Sequence, residues 1–334
     1  MSNPFLTTAA TPGNGTIHLS LLPPDTPRLR TASYQYPLKL VSPAPTRSNN
    51  EDPKLVHTVY LLTYGGGLVA GDSINLNVTL ETTTRLVLLT QGSTKLFKAP
   101  HRQVISKQNM TVDLAPESVL CYLPDPVQPF AHSSFEQSQT YNVLLPANSV
   151  QSAANLCVLD WVCNGRPANG EDWSFFRYGS RNEIYFHLPD ERKRLLLRDN
   201  VLLDDYGKSE SISERMHGLT AFGTLIVHGH LFRRLGQFFM DEFKAVPRIG
   251  GRRWDTGSDD GHDDSDPASV RRSVRHKQEV ADGLLWSSAA VRGCVVVKFG
   301  AKSVEGGKRW LKNMLEEEGS LIQELGERAM LCLR

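Results

Sequence analysis

The sequence predicts a mainly β protein, an all-β sandwich or a layered β-solenoid of many short strands, with two or three helices toward the C-terminus. Between about residues 16 and 226, short runs of alternating apolar and polar residues are separated by glycine- and proline-rich turns. This alternation is typical of half-buried strands, and proline-rich segments separate them because proline cannot donate a hydrogen bond in a central ladder. Apolar residues at three- and four-residue spacing, which indicate amphipathic helices, appear only after residue 230.

The clearest strand pattern lies between two polar turns. Three glycines, residues 65–67, precede Asp72, and apolar residues then alternate with polar ones over residues 74–81. A second apolar run, residues 86–90, leads into a polar loop that ends at Lys95. We therefore predict two half-buried antiparallel strands that are joined as a hairpin. Further strand candidates are residues 57–63, 109–114, 119–123, 141–145, 183–188 and 194–197.

A phosphate-binding loop is one alternative interpretation of these glycines. That loop requires Gly-x4-Gly-Lys-Ser/Thr leading into a helix, whereas the pattern around residues 65–67 is strand on both sides. Tight turns explain the glycines, because glycine adopts positive φ at no steric cost. Turn geometry does not explain why Asp72 and Lys95 accompany them.

The helical patterns are confined to the C-terminal third of the chain. Residues 231–246 place an aromatic face on one side and are followed by Pro247, which ends a helix, and residues 304–318 form a second pattern. Ser320 and Gln323 have the form of a capping box, which predicts the start of a third helix. Because this last segment lies at the very C-terminus, we predict that a partner docks on three of its apolar residues, Ile322, Leu325 and Leu333.

Composition limits the classes of function. The 334 residues carry 37 Lys and Arg against 36 Asp and Glu, and the formal net charge of +1 disfavours a general nucleic-acid binder. No apolar run is long enough to span a bilayer. The five cysteines are scattered among apolar residues, which predicts buried reduced thiols rather than a disulfide framework or a zinc site. We therefore expect a cytoplasmic protein.

The domain organisation is predicted to be simple. Residues 1–15 are uncharged and rich in Thr, Ala, Pro and Gly, and are expected to form a disordered tail before one domain over residues 16–334. Residues 248–277 mix basic clusters with an aspartate run and contain almost no apolar residues. Burial cannot offset the ordering entropy of such a segment, so we predict a disordered insertion there.

Three carboxylates stand out as candidate site residues. Asp72 follows tight turns, Asp160 interrupts an apolar strand, and Glu171 follows a glycine in a loop. A buried carboxylate needs partners or a wet cavity, so each is either a paired structural charge or the wall of a polar channel. Lys95 and Arg166 are the natural counter-ions.

His228 and His230 are weak candidates for a metal site. They lie two residues apart in a strand pattern, so both imidazoles would project from the same face and could chelate a metal ion. The alternative is a surface pair or a hydrogen-bonded pair with no metal. No cluster of His, Cys and carboxylates predicts a tight site, and no tightly bound cofactor is expected.

Several separate motifs together resemble the urease accessory protein UreD family, also called UreH. The resemblance rests on Gly-Gly-Gly-Leu-x-x-Gly-Asp at residues 65–72, followed by Thr-Gln-Gly-x-Thr-Lys at residues 90–95. It extends over about residues 16–315 without the insertion, although Ala70 stands where glycine is common and the insertion is longer than usual. Further matching segments are residues 36–39, 122–130, 159–162, 165–166, 170–171, 288–293 and 296–299.

The resemblance implies a helicoid, mainly β fold and a non-catalytic maturation factor. A UreD-like protein would bind apo-urease and the helical protein UreF, and through UreF recruit the GTPase UreG. The assembly would be heteromeric, with a dimer of heteromers as an open alternative, and would contact neither nucleic acid nor membrane. The resemblance also implies that nickel is bound only transiently, along the internal passage proposed for the family, because a conduit must release the ion that it admits.

Two other classes of function remain open from the residues alone. An all-β hydrolase could use Asp72, Asp160 or Glu171 as acid and base, and would show two carboxylates in one pocket. An all-β binding module without metal traffic would show an aromatic-lined groove and no internal passage.

Overall fold

A computed structural model describes residues 11–145, 153–188, 192–246 and 267–334 of the chain. Strands make up 46% of the structure and helices 22%, mostly toward the C-terminus, which confirms the predicted mainly β class. The strands are β1 (Asn14–Leu22), β2 (Thr26–Tyr34), β3 (Leu38–Val41), β4 (Thr46–Arg47), β5 (Leu55–Thr63), β6 (Gly67–Leu68), β7 (Ser73–Leu80), β8 (Arg85–Thr90), β9 (Thr94–Leu96), β10 (Ser106–Leu114), β11 (Val119–Tyr122), β12 (Val127–Pro129), β13 (Ser134–Leu144), β14 (Asn155–Cys163), β15 (Arg177–His187), β16 (Lys193–Asp204), β17 (Ala221–His228), β18 (Leu285–Val291) and β19 (Cys294–Ala301). The α-helices are α1 (Ile212–Met216), α2 (Arg233–Ala245), α3 (Pro267–Ala281), α4 (Val304–Glu318) and α5 (Ser320–Leu325). Short 3-10 turns occupy Tyr64–Gly66, Pro167–Asn169 and Glu327–Leu333.

The strands form two layers. The first, which we call sheet A, has the order β16-β15-β13-β10-β7-β1-β2, and its five inner strands from β15 to β1 are mutually parallel. The second, sheet B, has the main order β18-β19-β17-β14-β11-β8-β5-β3, with β14, β11, β8 and β5 parallel. The chain passes from sheet A to sheet B in successive coils, β7 to β8 and β10 to β11. Of the two architectures predicted from the sequence, a sandwich and a layered β-solenoid, the structure therefore has the layered one.

The predicted antiparallel hairpin of β7 and β8 is wrong. β7 pairs in parallel with β1 and β10 in sheet A, whereas β8 pairs in parallel with β5 and β11 in sheet B. The reason is that period-two alternation identifies the buried face of a strand but carries no information about its neighbour.

Equivalent turns carry the chain between the sheets. Thr83 and Glu117 both adopt positive φ, 63° and 60°. In each turn a following hydroxyl donates to a carbonyl three residues earlier, Thr84 Oγ1 to Glu81 and Ser118 Oγ to Ala115, both at 2.7 Å. These local bonds offset the cost of the unusual φ and stack one coil on the next.

Two apolar cores lie on the two faces of sheet B. One fills the space between the sheets, where Leu76 and Val112 of sheet A pack with Leu88 and Leu120 of sheet B. The other packs sheet B against the helices, where Trp161 and Phe299 join Phe239, Trp310 and Leu315. Both faces of β14 are therefore covered, and all nine of its residues are buried.

The helices begin and end close to the predicted positions, with one correction at a cap. α2 covers residues 233–245 of the predicted 231–246, and α4 covers the predicted 304–318. α5 begins at Ser320, but its N-cap is Gly319 in the left-handed region and no side chain caps it. The predicted capping box at Ser320 and Gln323 is therefore wrong, because Ser320 already lies inside the helix.

The predicted disordered insertion, residues 248–277, is corrected at its C-terminal end. Residues 267–281 form α3, while 247–266 lie outside the described residues. Of the described side chains of α3, residues 270–281, only Arg275 and Glu279 are not exposed. Ion pairs to Glu242 and Glu317 hold the helix, a contribution that the apolar content of the sequence does not reveal.

At the other terminus β1 begins at Asn14, two residues before the predicted start of the domain, and residues 1–10 lie outside the described residues.

Within the described part of the chain, no helix is both long and apolar enough to cross a membrane.

Candidate functional site

Asp160 lies between the two sheets, where the inner face of β14 meets β13 and β15. Its side chain is only 8% exposed. Four donors surround the carboxylate: Gln137 Nε2 reaches Oδ1 at 2.6 Å, Asn182 Nδ2 reaches Oδ2 at 2.7 Å, the Tyr178 hydroxyl reaches Oδ1 at 3.3 Å, and the Ser180 hydroxyl donates to Oδ2. All four come from sheet A, so the carboxylate joins the two layers.

Burial dominates the acid–base behaviour of this carboxylate. Desolvation raises the pKa of Asp160, and the hydrogen bonds from Ser180 and Asn182 offset only part of that effect. The charge of Asp199 raises the pKa further. Four protein donors thus replace part of the hydration of the Asp160 carboxylate, in a buried position where water cannot supply the remainder.

Polar groups continue from Asp160 toward one edge of the sheets. Asp199 on β16 accepts from Lys298 Nζ at 2.6 Å, and Lys298 also approaches Thr224 Oγ1 at 3.4 Å. The Asp199 side chain is 12% exposed and that of Lys298 is 38% exposed. This end therefore reaches the surface through a paired lysine.

Further polar groups lie in the opposite direction, at Tyr122, although no hydrogen bond in the described structure joins Tyr122 to Asp160. Burial and the charge of Asp160 both raise the pKa of Tyr122, whose hydroxyl is hydrogen-bonded by Gln108. Gln108 and Tyr122 share with Thr90 a cavity of about 20 Å³, which is the size of one water molecule. Thr90 Oγ1 in turn contacts Asp125 at 3.3 Å.

Asp125 lies at this end of the polar groups, beside a surface cavity. It is 8% exposed, accepts from the Gly92 N–H at 3.0 Å, and pairs with Lys308 Nζ at 2.6 Å. Asp125, Thr90 and Lys308 line a surface cavity of about 550 Å³. We call the whole set the inter-sheet polar row, although its end residue Lys308 belongs to α4 in the helical layer. The row consists of Lys308, Asp125, Thr90, Gln108, Tyr122, Gln137, Asp160, Ser180, Asn182, Asp199 and Lys298.

Two of the predicted charges form a pair outside this row. Arg166 Nε donates to Glu171 Oε2 at 3.0 Å, a second bond joins the same groups, and the guanidinium lies 3.8 Å from the centre of the Phe130 ring. The hydrogen bonds from Arg166 lower the pKa of Glu171. This is a structural pair that fixes the loop after β14.

Asp72 and Lys95 are not brought together. Asp72 is half-buried, and its Oδ2 accepts from the Val69 N–H at 2.9 Å, so it stabilises the turn before β7. Lys95 is exposed and forms no ion pair with any described residue. Neither lies in the inter-sheet polar row, because the turn holds Asp72 at the rim of sheet A.

The structure also shows where the predicted metal-binding and partner-docking residues lie. His228 is the last residue of β17 and is buried, whereas His230 is exposed at the bend that follows. Among the described residues, no group of three or more His, Cys, Asp or Glu side chains could hold a metal ion. Leu325 and Leu333 are 0% and 2% exposed and belong to the helical core, and Ile322 is half-buried against it. These two leucines therefore stabilise the fold and present no docking surface in this conformation.

Sequence reasoning missed most of the polar row. Its donors lie on strands far along the chain from Asp160, and their inward direction depends on the pairing of the strands. One signal was present in residues 135–141, Phe-Glu-Gln-Ser-Gln-Thr-Tyr, where the apolar face of a strand contains Gln137 and Gln139 between two aromatic residues. Asp125 was visible within the Pro-Asp-Pro segment but was not identified as a buried charge.

The raised pKa of Asp160 has a predictable consequence for stability. Between the unfolded value near 3.8 and the higher folded value, the folded state binds more protons, so its stability falls as pH rises. We expect the stability advantage of the wild type over Asp160→Asn to shrink across that interval. Urea unfolding of both proteins at a series of pH values measures the difference; an advantage that grows with pH would contradict the raised pKa.

Comparison with known proteins agrees with this architecture. Residues 13–331 match the family model described as UreD urease accessory protein. The chain is 35% identical over 337 residues to "Urease accessory protein 4" of Cryptococcus neoformans, covering 92% of this chain and 90% of the relative. It is 34% identical over 212 residues to "Urease accessory protein D" of Arabidopsis thaliana, covering 64% and 67%, and 25% identical to a ureD-like protein of Schizosaccharomyces pombe, covering 86% and 88%. The predicted resemblance is confirmed, and the chain belongs to the UreD family of urease accessory proteins.

Proposed function

We propose that this protein is a non-catalytic factor in urease maturation and that nickel passes along the inter-sheet polar row. The observation that carries the proposal is the row itself. It places the buried carboxylates of Asp125 and Asp160 and the partly buried carboxylate of Asp199 among apolar and uncharged polar side chains, and it extends from a surface cavity to the partly exposed Lys298.

The chemistry of the row suits transit better than storage. Nickel is bound tightly by clustered nitrogen ligands, whereas single carboxylates, amides and hydroxyls bind it weakly. Weak sites in sequence admit an ion and release it to the next site, as conduction requires. Lys308 and Lys298 each pair with a carboxylate at one end of the row, and the same carboxylates could exchange that partner for a passing cation.

The partners in this proposal are apo-urease, UreF and, through UreF, the GTPase UreG, in a cytoplasmic heteromeric assembly. Family membership supports it. The hydrolase alternative has less support, because Asp72, Asp160 and Glu171 lie at separate places in the described structure. The plain binding-module alternative has less support, because the matching family is described as one of urease accessory proteins.

A matched pair of variants tests the passage. Asp160→Asn keeps the size of the side chain but removes its charge, and we expect it to lower nickel-dependent urease activation by about tenfold, as expected when a charged partner of a cation is lost. Asp72→Asn makes the same change outside the row and should activate normally. Urease activity is measured with equal soluble amounts of each variant, co-expressed with apo-urease, UreF and UreG.

Two outcomes count against the proposal. Equal activation by Asp160→Asn and wild type would remove the row from the nickel path while leaving the maturation role intact. Failure of the wild-type chain to co-purify with UreF or to support activation would remove the maturation role itself.

A further inference from the structure

Four strands lie at the edges of the two sheets: β16 and β2 end sheet A, and β18 and β3 end sheet B. An edge strand exposes unpaired N–H and C=O groups, and proteins usually protect such an edge with charged residues, proline, a bulge or a very short strand. β18 has none of these devices. Its sequence, Leu-Trp-Ser-Ser-Ala-Ala-Val, is uncharged, and its pairing with β19 has no register shift.

The other three edges are protected. β16 carries three basic residues, among them Arg198, and a register shift interrupts its pairing with β15. β2 contains Pro27, and a register shift likewise interrupts its pairing with β1. β3 is only four residues long and includes Lys39. β18 therefore differs from every other edge in remaining open to a further strand.

The hairpin geometry identifies the open backbone groups of β18. A two-residue turn, Arg292-Gly293, joins β18 to β19, and both of its residues have positive φ, 48° and 83°. In such a hairpin the residues that flank the turn form a hydrogen-bonded pair, and bonded pairs alternate along the strands from there. The N–H and C=O groups that point away from β19 are consequently those of Trp286, Ser288 and Ala290. None of these outward groups is bonded to a described residue outside β19.

The side chains of β18 leave one of its faces uncovered. Trp286 faces the helices, where its ring centre lies 5.4 Å from that of Phe243. Residues on the opposite face alternate with it, and two of them, Leu285 and Val291, are 67% and 37% exposed. An open backbone edge and an exposed apolar face thus occur on the same strand.

We propose that β18 pairs antiparallel with β18 of a second copy of this chain, so that sheet B continues across a two-fold axis at Ser288. In this register Ser288 of one copy lies opposite Ser288 of the other, and Trp286 lies opposite Ala290. The three outward residues of each copy then bond to those of the other, with two backbone hydrogen bonds in every pair. Leu285 lies opposite Val291 at both ends of the uncovered face.

The strand fits its own copy because an interface with two-fold symmetry must be self-complementary. The register places the large Trp286 opposite the small Ala290, joins apolar residues at both ends, and sets no charge against a like charge. One added strand is a small contact beside the roughly 1,200–2,000 Å² of stable interfaces, so the dimer should form reversibly as protein concentration rises. The inference is independent of the proposed nickel passage and of the maturation role.

Hydrogen exchange of the intact chain over a concentration series, with sedimentation velocity on the same samples, tests the pairing. In the dilute monomer the outward amides should exchange fast, while those of Ser287 and Ala289, which bond to β19, stay protected. At a concentration where about nine-tenths of the chain is dimeric, the outward amides should exchange about tenfold more slowly, because they open only through the remaining monomer. A chain that stays monomeric, a dimer with fast outward amides, or protection that requires a different protein would each overturn the proposal.

A matched pair of double variants tests the register. Leu285→Lys with Val291→Lys places like charges opposite each other at both ends and should weaken dimerisation by about tenfold. Leu285→Glu with Val291→Lys charges the same two positions but places opposite signs across the axis, and should keep the dimer within about threefold of wild type. Both side chains are exposed, so both variants should fold. Equal weakening by the two variants would contradict pairing centred on Ser288.

Discussion

Replacing Asp160 by alanine is expected to lower the free energy of unfolding by about 3 kcal/mol, because four buried donors lose their acceptor. The loss is smaller than the sum of four orphaned donors. Ser180 and Tyr178 hydroxyls can rotate toward other partners, a water can enter the space, and the desolvation penalty of the carboxylate disappears. Equilibrium unfolding in urea at neutral pH measures the change.

Two further variants distinguish the loss of this hydrogen-bond network from the general effect of replacing an aspartate. Asp160→Asn retains an acceptor oxygen and should cost about 1 kcal/mol, one mismatched hydrogen bond. Asp72→Ala removes a half-buried acceptor of one backbone N–H, and should also cost about 1 kcal/mol. If Asp160→Ala proved no worse than Asp72→Ala, the four donors would not depend on the carboxylate for their satisfaction.

The sequence predicted the strands better than their partners. The alternation in β7 correctly identified Leu76 and Val78 as buried, because burial of one face is a local property of a strand. The parallel neighbours of β7 are β1 and β10, which are separated from it in the chain. The alternation of residues in β7 does not indicate whether β7 pairs with these strands or with β8, the strand that follows it. The layered topology therefore required the three-dimensional structure.

The candidate site was predictable to a similar extent. Asp160 is identifiable from the sequence because a charge within an apolar strand needs hydrogen-bond or ion-pair partners. Glu171 pairs with its predicted counter-ion Arg166 because the two residues lie in one short loop. The same reasoning failed for Asp72 and Lys95, where proximity in sequence did not bring the groups together. The donors to Asp160 could be found only after β13 and β15 were known to lie opposite β14.

Ion pairs dock α3, although its composition predicted disorder. Arg275, whose side chain is 11% exposed, contacts Glu242 and Glu317 and approaches Glu279 at 3.7 Å, and Arg272 also pairs with Glu242. Glu279 accepts from the Trp310 indole N–H at 3.0 Å, which connects the helix to the aromatic core. Burial raises the pKa of Glu242, but the two guanidinium groups lower it by more. The docked helix is therefore stabilised above that lowered pKa and loses this contribution as pH falls through it.

We accordingly expect Arg275→Met to release α3 from the body of the protein, at a cost of about 2 kcal/mol. Breaking a buried pair ordinarily costs about 3–5 kcal/mol, but undocking of the helix limits the loss because Glu242 then reaches water. Hydrogen exchange over residues 270–281 should become fast, and tryptophan fluorescence should report the change around Trp310. Arg271→Met provides the control on the same helix: Arg271 is 60% exposed and lies 3.6 Å from Glu317, so its removal should cost about 0.5 kcal/mol or less. Unchanged exchange in Arg275→Met would mean that apolar contacts, not charge, hold α3 in place.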